Sequence, residues 1–266
     1  GRRFVGSNST PPASISSNQR MRVRIASRKA AGFMTIDLNA DLGEGYPNDR
    51  ELLDRVSSAS ISCGAHAGDI QSVESTLRWA LERGVAVGAH PGYADREGFG
   101  RREQILASDE VRDLILDQVD WLSRLADPIR AAIRFLKPHG ALYNQAQREI
   151  SVARGVVAAA ARLGLPLLGQ PGSVLQAIAR DEGVTFVVEG FPDRRYLPDG
   201  RLVPRSRPDA ILTSAEDVES QVIQLIERGF DTLCIHGDDP RALANADLVR
   251  SILRARRGAG CLAHRE

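Results

Sequence analysis

Short apolar runs alternate with amphipathic helical stretches from residue 35 onward, and the alternation repeats seven times. Ser108 and Ser214 precede acidic first turns, which is typical of helix N-cap residues. Gly84 and Gly229 follow last turns, where glycine commonly ends a helix. The predicted strands are residues 35–42, 58–64, 85–90, 132–139, 165–170, 185–191 and 232–237.

Successive strand-then-helix units predict parallel strands, because each right-handed crossover returns the chain to the same edge of a sheet. Six of the seven strands begin apolar and are followed by polar residues at their carboxyl ends. Barrel enzymes place their chemistry at that end, whereas an open sheet concentrates it at one switch point. The pattern predicts an α/β fold, a TIM-like (β/α)7 barrel, in a single domain spanning residues 34–266.

Charge is distributed unevenly along the chain. Residues 1–33 contain seven of the 35 basic residues and no acidic residue, which leaves 28 basic against 34 acidic residues in the remainder. A mildly acidic body argues against nucleic acid as a partner. We expect residues 1–33 to be a disordered basic leader outside the fold. It is interpreted as a segment upstream of a start at Met34, a transit peptide or a functional basic tail.

The apolar runs are short, and none approaches the roughly 20 residues needed to cross a bilayer. No membrane partner is therefore expected. Cys63, Cys234 and Cys261 are widely spaced and form no CxxC pair. The sequence predicts neither a disulfide framework nor a cysteine zinc site, which favours a reducing, cytoplasmic location.

The first strand carries two polar side chains on one face. Because side chains alternate along a strand, Asn39 and Asp41 share the face opposite the apolar residues, and Glu44 follows on the loop. Burying two polar side chains is costly unless they are paired or used, so we expect both to point into the barrel mouth. The alternative is a turn in which they cap backbone amides.

Four of the five histidines lie where predicted strands end at the carboxyl side, and the fifth lies in the C-terminal tail. The four are His66, His90, His139 and His236. A single histidine in such a position is usually structural, whereas four on one rim predict a functional site. Lys137 has the same parity as His139 and is expected to face the same way.

Charged loops supply further candidates for contacts with a substrate. Arg101 and Arg102 follow the third strand and could meet an anionic group, and Arg205 lies on the loop after the sixth strand. The arginine-rich loops could equally be solvated, and Asp69 could simply cap the next helix. The remaining candidates are Asn144, Glu189, Asp193, Arg194, Tyr196 and Asp238.

This set of side chains limits the kinds of reaction that the predicted site could support. Histidines and carboxylates can bind a divalent metal that activates water, or can share acid and base roles at a carbonyl group. Lysine and arginine suit a carboxylate or a phosphoryl group. The chain contains no G-x-S-x-G, Walker or G-x-G-x-x-G motif, so nothing favours a serine hydrolase, a P-loop protein or a dinucleotide-binding protein.

Seven motifs occur in one order: NADLGE, CGAHAGD, GAHPGY, GFGRR, KPHGALYN, EGFPDRRY and HGDDP. Together they closely resemble the LamB/YcsF family, the A subunits of prokaryotic ATP-dependent 5-oxoprolinase, from Met34 to about Arg257. The leader has no counterpart in that family. Ala65 stands where the family often has an aromatic residue.

The resemblance implies a barrel similar to the glycoside hydrolase/polysaccharide deacetylase superfamily, in a complex with two further subunits, B and C. The implied reaction opens the lactam of 5-oxo-L-proline to L-glutamate, with ATP as co-substrate. Arg101 and Arg194 would then contact phosphate or carboxylate oxygens together with Lys137. The implied catalytic residues are Asp41, His66, His90, Lys137, His139 and His236.

A divalent metal is a further implication, because the superfamily binds one with an aspartate and two histidines. Asp41, His66 and His139 would be the ligands here, although the usual adjacent aspartate pair is missing from the first strand. Two other functions stay open. A stand-alone metal-dependent amidohydrolase or deacetylase would turn over without ATP, and a non-catalytic scaffold subunit would tolerate replacement of the motif residues.

Overall fold

Seven parallel strands close into a barrel. The computed structural model describes residues 36–205 and 207–262, in which each strand pairs with the next and the last returns to the first. The strands are β1 (Asp37–Leu42), β2 (Ser58–Ser62), β3 (Ala86–His90), β4 (Ile133–Leu136), β5 (Leu167–Gly169), β6 (Phe186–Gly190) and β7 (Thr232–His236). The predicted TIM-like (β/α)7 barrel is confirmed. The predicted leader, residues 1–33, lies outside the described residues.

Helices follow the strands around the outside of the barrel. They are α1 (Asp49–Leu53), α2 (Ile70–Arg83), α3 (Ser108–Ala126), α4 (Gly140–Ala146), α5 (Ile150–Leu163), α6 (Val174–Asp181), α7 (Ala215–Glu227) and α8 (Ala242–Leu262). A short 3-10 helix, Asp127–Ile129, ends the α3 segment. None of the described helices is long and apolar enough to span a bilayer.

Most predicted helix boundaries are confirmed. Gly84 ends α2 in the left-handed conformation, and the side chain of Ser214 caps α7 by accepting from the backbone N–H of Asp217 at 3.0 Å. The N-cap prediction for Ser108 is wrong by one residue, because Ala107 takes that position. The Ser108 hydroxyl instead donates to the carbonyl oxygen of Ser151 at 2.7 Å and ties α3 to α5.

All seven strands are shorter than predicted, and the difference is largest for β4 and β5. β4 ends at Leu136 because Pro138 has no N–H to donate, although the backbone N–H of Lys137 still bonds to the Ala89 carbonyl at 2.9 Å. β5 begins only after Pro166, whose carbonyl accepts from Leu136 at 2.8 Å. The residues beyond β4 therefore belong to a loop at the carboxyl end of the barrel, where the site lies.

The first strand separates an apolar exterior from a polar interior. Leu38, Ala40 and Leu42 are buried in the hydrophobic core that joins barrel and helices. Asn39 points the other way and donates to the Thr232 hydroxyl at 2.8 Å and to the Glu189 carboxylate at 3.3 Å across the barrel. Both faces of the strand are buried, so the polar side chains have to find partners inside the barrel.

One carboxylate and one aromatic ring fill further space inside the barrel. Asp37 accepts hydrogen bonds from the hydroxyls of Ser58 and Thr232 at 2.6 and 2.7 Å. Phe135 fills the space against Gly88, where a Cβ atom would lie 2.1 Å from the ring. Polar and aromatic side chains thus both fill the barrel interior.

Candidate active site

Lys137 is the charged centre of the barrel interior, and its side chain is only 2% exposed. Its Nζ atom lies 2.8 Å from Asp41 Oδ1, 2.8 Å from Glu189 Oε1 and 2.9 Å from Cys234 Sγ. Burial by itself would lower the pKa of Lys137, but the acidic groups around it, Asp41 foremost, raise the pKa well above its ordinary value. Lys137 is consequently a permanent buried cation.

Asp41 is the ionised partner of that cation. Burial raises its pKa, but His90 and Lys137 together bring the pKa well below the ordinary value for an aspartate. Asp41 Oδ2 also lies 3.5 Å from His90 Nε2, so the carboxylate connects the lysine to the histidines. The prediction that Asn39 and Asp41 point into the mouth is in accord with this geometry.

His90 and His139 face each other across a short gap. His90 Nδ1 donates to the Lys137 carbonyl at 2.8 Å, and His139 Nε2 donates to the Phe99 carbonyl at 2.9 Å. Since a carbonyl only accepts, these contacts place each ring's proton on the outer nitrogen. His90 Nε2 and His139 Nδ1 are left 3.0 Å apart with lone pairs opposed, which requires a proton or a cation between them.

Glu44 completes this buried cluster. Its Oε1 atom lies 3.2 Å from His66 Nε2, 3.3 Å from His139 Nδ1 and 3.8 Å from His90 Nε2. Burial, helped by the nearby Asp41, raises the pKa of Glu44 well above the ordinary value for a glutamate.

His66 packs on the cluster as a neutral ring. It stacks on His139 with 3.8 Å between ring centroids, and burial lowers its pKa to about 3. Its Nδ1 atom is buried and has no hydrogen-bond partner among the described residues. The ring therefore accepts a proton only at considerable cost.

Glu44, His90 and His139 are well suited to hold a cation. Their donor atoms all lie within 4.8 Å of one another, and carboxylate and imidazole are ligands of zinc and similar ions. This trio shares only His139 with the predicted ligand set of Asp41, His66 and His139. The backbone carbonyls that orient both imidazoles are the outer contacts that metal-binding histidines usually have.

A second group of potential ligands is formed by Asp41, Cys234 and His236. Lys137 Nζ lies 2.9 Å from Cys234 Sγ and 2.8 Å from Asp41 Oδ1, so a cation is already there. A metal ion would be repelled by this ammonium group. The first trio is thus the better metal site.

His236 and Asp193 form a dyad at the carboxyl end of β7. His236 Nδ1 lies 2.8 Å from Asp193 Oδ2, and the imidazole stacks on Phe191 at 5.4 Å between centroids. Burial raises the pKa of Asp193, but His236 and nearby arginines bring it below the ordinary value, so Asp193 is ionised. Asp193 therefore keeps the proton on Nδ1 and leaves Nε2 free to act as a base.

Asp238 lies at the entrance between two arginines. Arg101 and Arg205 both donate to Asp238 Oδ2, the second at 3.0 Å. Asp238 is 12% exposed, whereas Arg101 is 39% exposed and lies over the Phe99 ring at 4.8 Å. The mouth is thus lined by paired charges above the histidines.

Three predicted substrate contacts have other roles or positions. Asp69 is exposed and caps α2, accepting from the backbone N–H of Ser72 at 2.8 Å, as in the alternative interpretation of that residue. Arg102 is 66% exposed and pairs with Asp95 at 3.4 Å and with the exposed Glu97 at 3.5 Å. Asn144 is exposed on α4. None of the three joins the buried cluster.

Arg194 and Tyr196 hold the loop after β6 rather than facing a ligand. The Arg194 guanidinium donates to the carbonyls of Val203 at 2.7 Å and Ala210 at 3.3 Å. The Tyr196 hydroxyl accepts from the backbone N–H of Phe191 at 2.8 Å. Their side chains satisfy the backbone of a loop that has little regular structure of its own.

The sequence-based prediction did not include Phe99. Its φ angle of 54° is in the left-handed region, which is uncommon for a residue other than glycine, and this conformation directs its carbonyl to His139. Its ring also packs edge-on against His66 and His139. The only signal in the sequence is its position between two glycines in the GFGRR motif.

Comparison with known proteins agrees with this architecture. A curated relative, the A subunit of 5-oxoprolinase from Methylococcus capsulatus (strain Bath), is 43% identical over 242 residues, which cover 84% of this chain and 93% of that protein. The crystal structure of the lactam utilization protein from Thermus thermophilus is 39% identical with a TM-score of 0.77, covering 84% of this chain and 97% of that one. The sequence profile of the LamB/YcsF family matches residues 36–260, and this chain belongs to that family.

Proposed function

We propose that this chain is a catalytic subunit of an ATP-dependent 5-oxoprolinase, which opens 5-oxo-L-proline to L-glutamate. The observation that carries the proposal is the buried Lys137 and Asp41 pair beside Glu44 and three histidines, at the floor of an arginine-lined mouth. The relative named as the A subunit of 5-oxoprolinase supports the substrate, and its name supports a complex. We propose subunits B and C as the partners and the cytoplasm as the location.

The coupling to ATP has a chemical reason. An unstrained lactam is a poor electrophile and has a poor leaving group, so water attacks its carbonyl carbon slowly. Transfer of the terminal phosphoryl group of ATP to the lactam oxygen releases ADP and makes that carbon open to attack by water. Cleavage of the C–N bond then leaves an acyl phosphate, which a second water hydrolyses to glutamate and phosphate. The buried positive charge of Lys137 would favour the negative charge that develops on oxygen in either step, because the barrel interior excludes water.

The dyad provides the proton transfers. With Nδ1 hydrogen-bonded to Asp193, His236 can take a proton from an attacking water at Nε2, and the carboxylate stabilises the imidazolium that results. When no metal is bound by Glu44, His90 and His139, Glu44, whose pKa burial raises, can supply a proton to the departing ring nitrogen. Acid and base would thus come from the carboxyl ends of different strands.

Glu44, His90 and His139 would hold a divalent metal if the reaction uses one. Bound there, such an ion would polarise a substrate oxygen or lower the pKa of a water molecule. His90 and His139 are already oriented for it, because their outer N–H groups are held by the backbone carbonyls of Lys137 and Phe99.

The same trio favours a second candidate, a metal-dependent amidohydrolase that works without ATP. One assay separates the two: glutamate release from 5-oxo-L-proline by the chain alone and with subunits B and C, with and without ATP, before and after chelation. Our proposal predicts release only when ATP and both partners are present. Release by the chain alone without ATP, abolished by chelation, would establish the amidohydrolase instead.

A further inference from the structure

Two arginines from different loops share one carboxylate oxygen. Arg101 lies on the loop between β3 and α3, and Arg205 lies on the loop between β6 and α7. Both donate to Oδ2 of Asp238, which lies on the loop between β7 and α8. The three groups carry one net positive charge, so the pair of arginines is not neutralised by its partner.

The shared carboxylate lies near enough to the buried cluster to act electrostatically on Glu44. Burial is the main cause that raises the pKa of Glu44, and Asp238 adds to that effect while Arg101 opposes it. Arg101 packs over the ring of Phe99, whose carbonyl binds His139. An anion that replaced the Asp238 carboxylate would therefore lie at the entrance to the histidines.

The arrangement differs from an ordinary surface ion pair. Exposed pairs contribute little to stability, and a single arginine would suffice to hold the loop. Here Asp238 is 12% exposed and is held by two guanidinium groups, the donors best suited to carboxylate and phosphate.

We propose that Arg101 and Arg205 form a binding subsite for an oxyanion of the reactants, and that Asp238 occupies this subsite in the free protein. The inference rests on the proposed function, because 5-oxo-L-proline carries a carboxylate and ATP carries phosphates. When the ligand oxyanion binds, it displaces the Asp238 side chain toward solvent. The two loops are then joined through the ligand.

The test compares two substitutions on one loop. Arg205→Gln removes a subsite arginine, and Arg207→Gln removes an equal charge from an exposed arginine that pairs with Asp209. Both variants are assembled with subunits B and C, and KM is measured for 5-oxo-L-proline and for ATP. Losing a charge-assisted contact should raise KM about tenfold in Arg205→Gln, while Arg207→Gln should match the unmodified protein.

Which KM changes identifies the oxyanion. A rise confined to 5-oxo-L-proline assigns the subsite to the substrate carboxylate, and a rise confined to ATP assigns it to a phosphate. Asp238→Asn should lower the same KM, because it leaves both arginines unpaired. If Arg205→Gln behaves like Arg207→Gln, or if Asp238→Asn raises KM as much as Arg205→Gln does, the group is only a structural link and the proposal is overturned.

Two additional measurements cover the remaining cases. If Arg205→Gln fails to fold, Arg205→Lys is used instead. It keeps the charge but loses the planar guanidinium that can bind two oxygens of a ligand oxyanion, so it should still raise KM. Should the unmodified complex release no glutamate, the proposed function fails, and calorimetric titration of the full chain with 5-oxo-L-proline and inorganic phosphate decides about the subsite. Weaker binding by Arg205→Gln than by Arg207→Gln supports it, and equal binding overturns it.

Discussion

At the scale of single residues, the site depends on charges that are buried and paired. The Lys137 side chain is only 2% exposed, and Asp41 and Glu189 both lie 2.8 Å from its ammonium group. Replacing such a group by an apolar one removes the partner but leaves the carboxylates buried. Removal of Lys137 should therefore lower the stability of the fold.

Lys137→Met should lower the free energy of unfolding by about 3–5 kcal/mol, because it leaves Asp41 and Glu189 buried without their cation. Urea unfolding monitored by circular dichroism measures the loss. Adding Asp41→Asn to Lys137→Met should restore part of it, as coupled neighbours do in a double-mutant cycle. A loss below about 1 kcal/mol would mean that the pair is solvated, as exposed pairs are.

Cys63 should be inert in the folded protein, because burial raises the pKa of its thiol from 9.0 to about 12. At pH 8 its thiolate fraction is then about a thousandfold lower than in the unfolded chain. Iodoacetamide labelling of a Cys261→Ser variant, resolved by peptide mass spectrometry, tests this in native buffer and in urea. Labelling of Cys63 at equal rates in both would contradict the buried position.

The raised pKa of Cys63 also predicts how the stability of the protein changes with pH. A group whose pKa is raised on folding contributes fully to the free energy of unfolding at pH values below its unfolded pKa, roughly 8.5 for a thiol. As the pH rises from there toward 12, the unfolded thiol ionises while folded Cys63 does not. The contribution of Cys63 to stability should therefore decrease over that range, and Cys63→Ala should reduce the steepness of the decrease.

At the scale of elements, the site is built where two loops touch. The loop after β3 reaches the start of α4, where the backbone N–H of Ala141 donates to the Gly100 carbonyl at 2.9 Å. Gly140 begins α4 with a φ angle of 53°, and a Cβ atom there would lie 2.6 Å from the Gly100 carbonyl oxygen. This contact brings Phe99 to His139, so it sets the proton position on that imidazole.

Gly140→Ala should destabilise the protein more than Gly84→Ala, although both glycines have positive φ angles. Left-handed backbone costs about 1–2 kcal/mol for an alanine in either case. Gly84 has nothing within 4 Å of a new Cβ atom, whereas Gly140 meets the backbone. Thermal unfolding of both variants measures the difference. An equal decrease in Tm would contradict the prediction, because it would show that the two loops can move apart without loss of stability.

Alternation along a strand was enough to predict which side chains enter the barrel. Asn39 and Asp41 were placed inside because parity is a local property of the chain. Loop residues were harder to place: Asp69 caps a helix and Arg194 binds loop carbonyls, and the sequence offered no means of telling these roles from ligand contacts. Phe99 escaped prediction because its backbone, not its side chain type, orients His139.

At the scale of the whole molecule, closure of the barrel converts separate motifs into one site. β7 pairs with β1, which brings His236 beside Asp41, and the loop after β3 meets the start of α4 at the other side. The repeated strand-helix units are enough to predict parallel strands. The contact between His90 and His139 depends instead on how segments distant in the chain meet in the closed barrel. The apolar exterior faces the helices, so the polar groups converge at the mouth.

The central claim is that this mouth performs chemistry within a multi-subunit 5-oxoprolinase, and it is tested most directly at His236. The measurement is ATP-dependent glutamate release by complete complexes containing His236→Gln, with Arg207→Gln as the control and assembly checked by gel filtration. Loss of a general base should lower kcat by about 10²–10⁴-fold while assembly stays intact. Normal turnover by an assembled His236→Gln complex would contradict the account and leave this chain a scaffold.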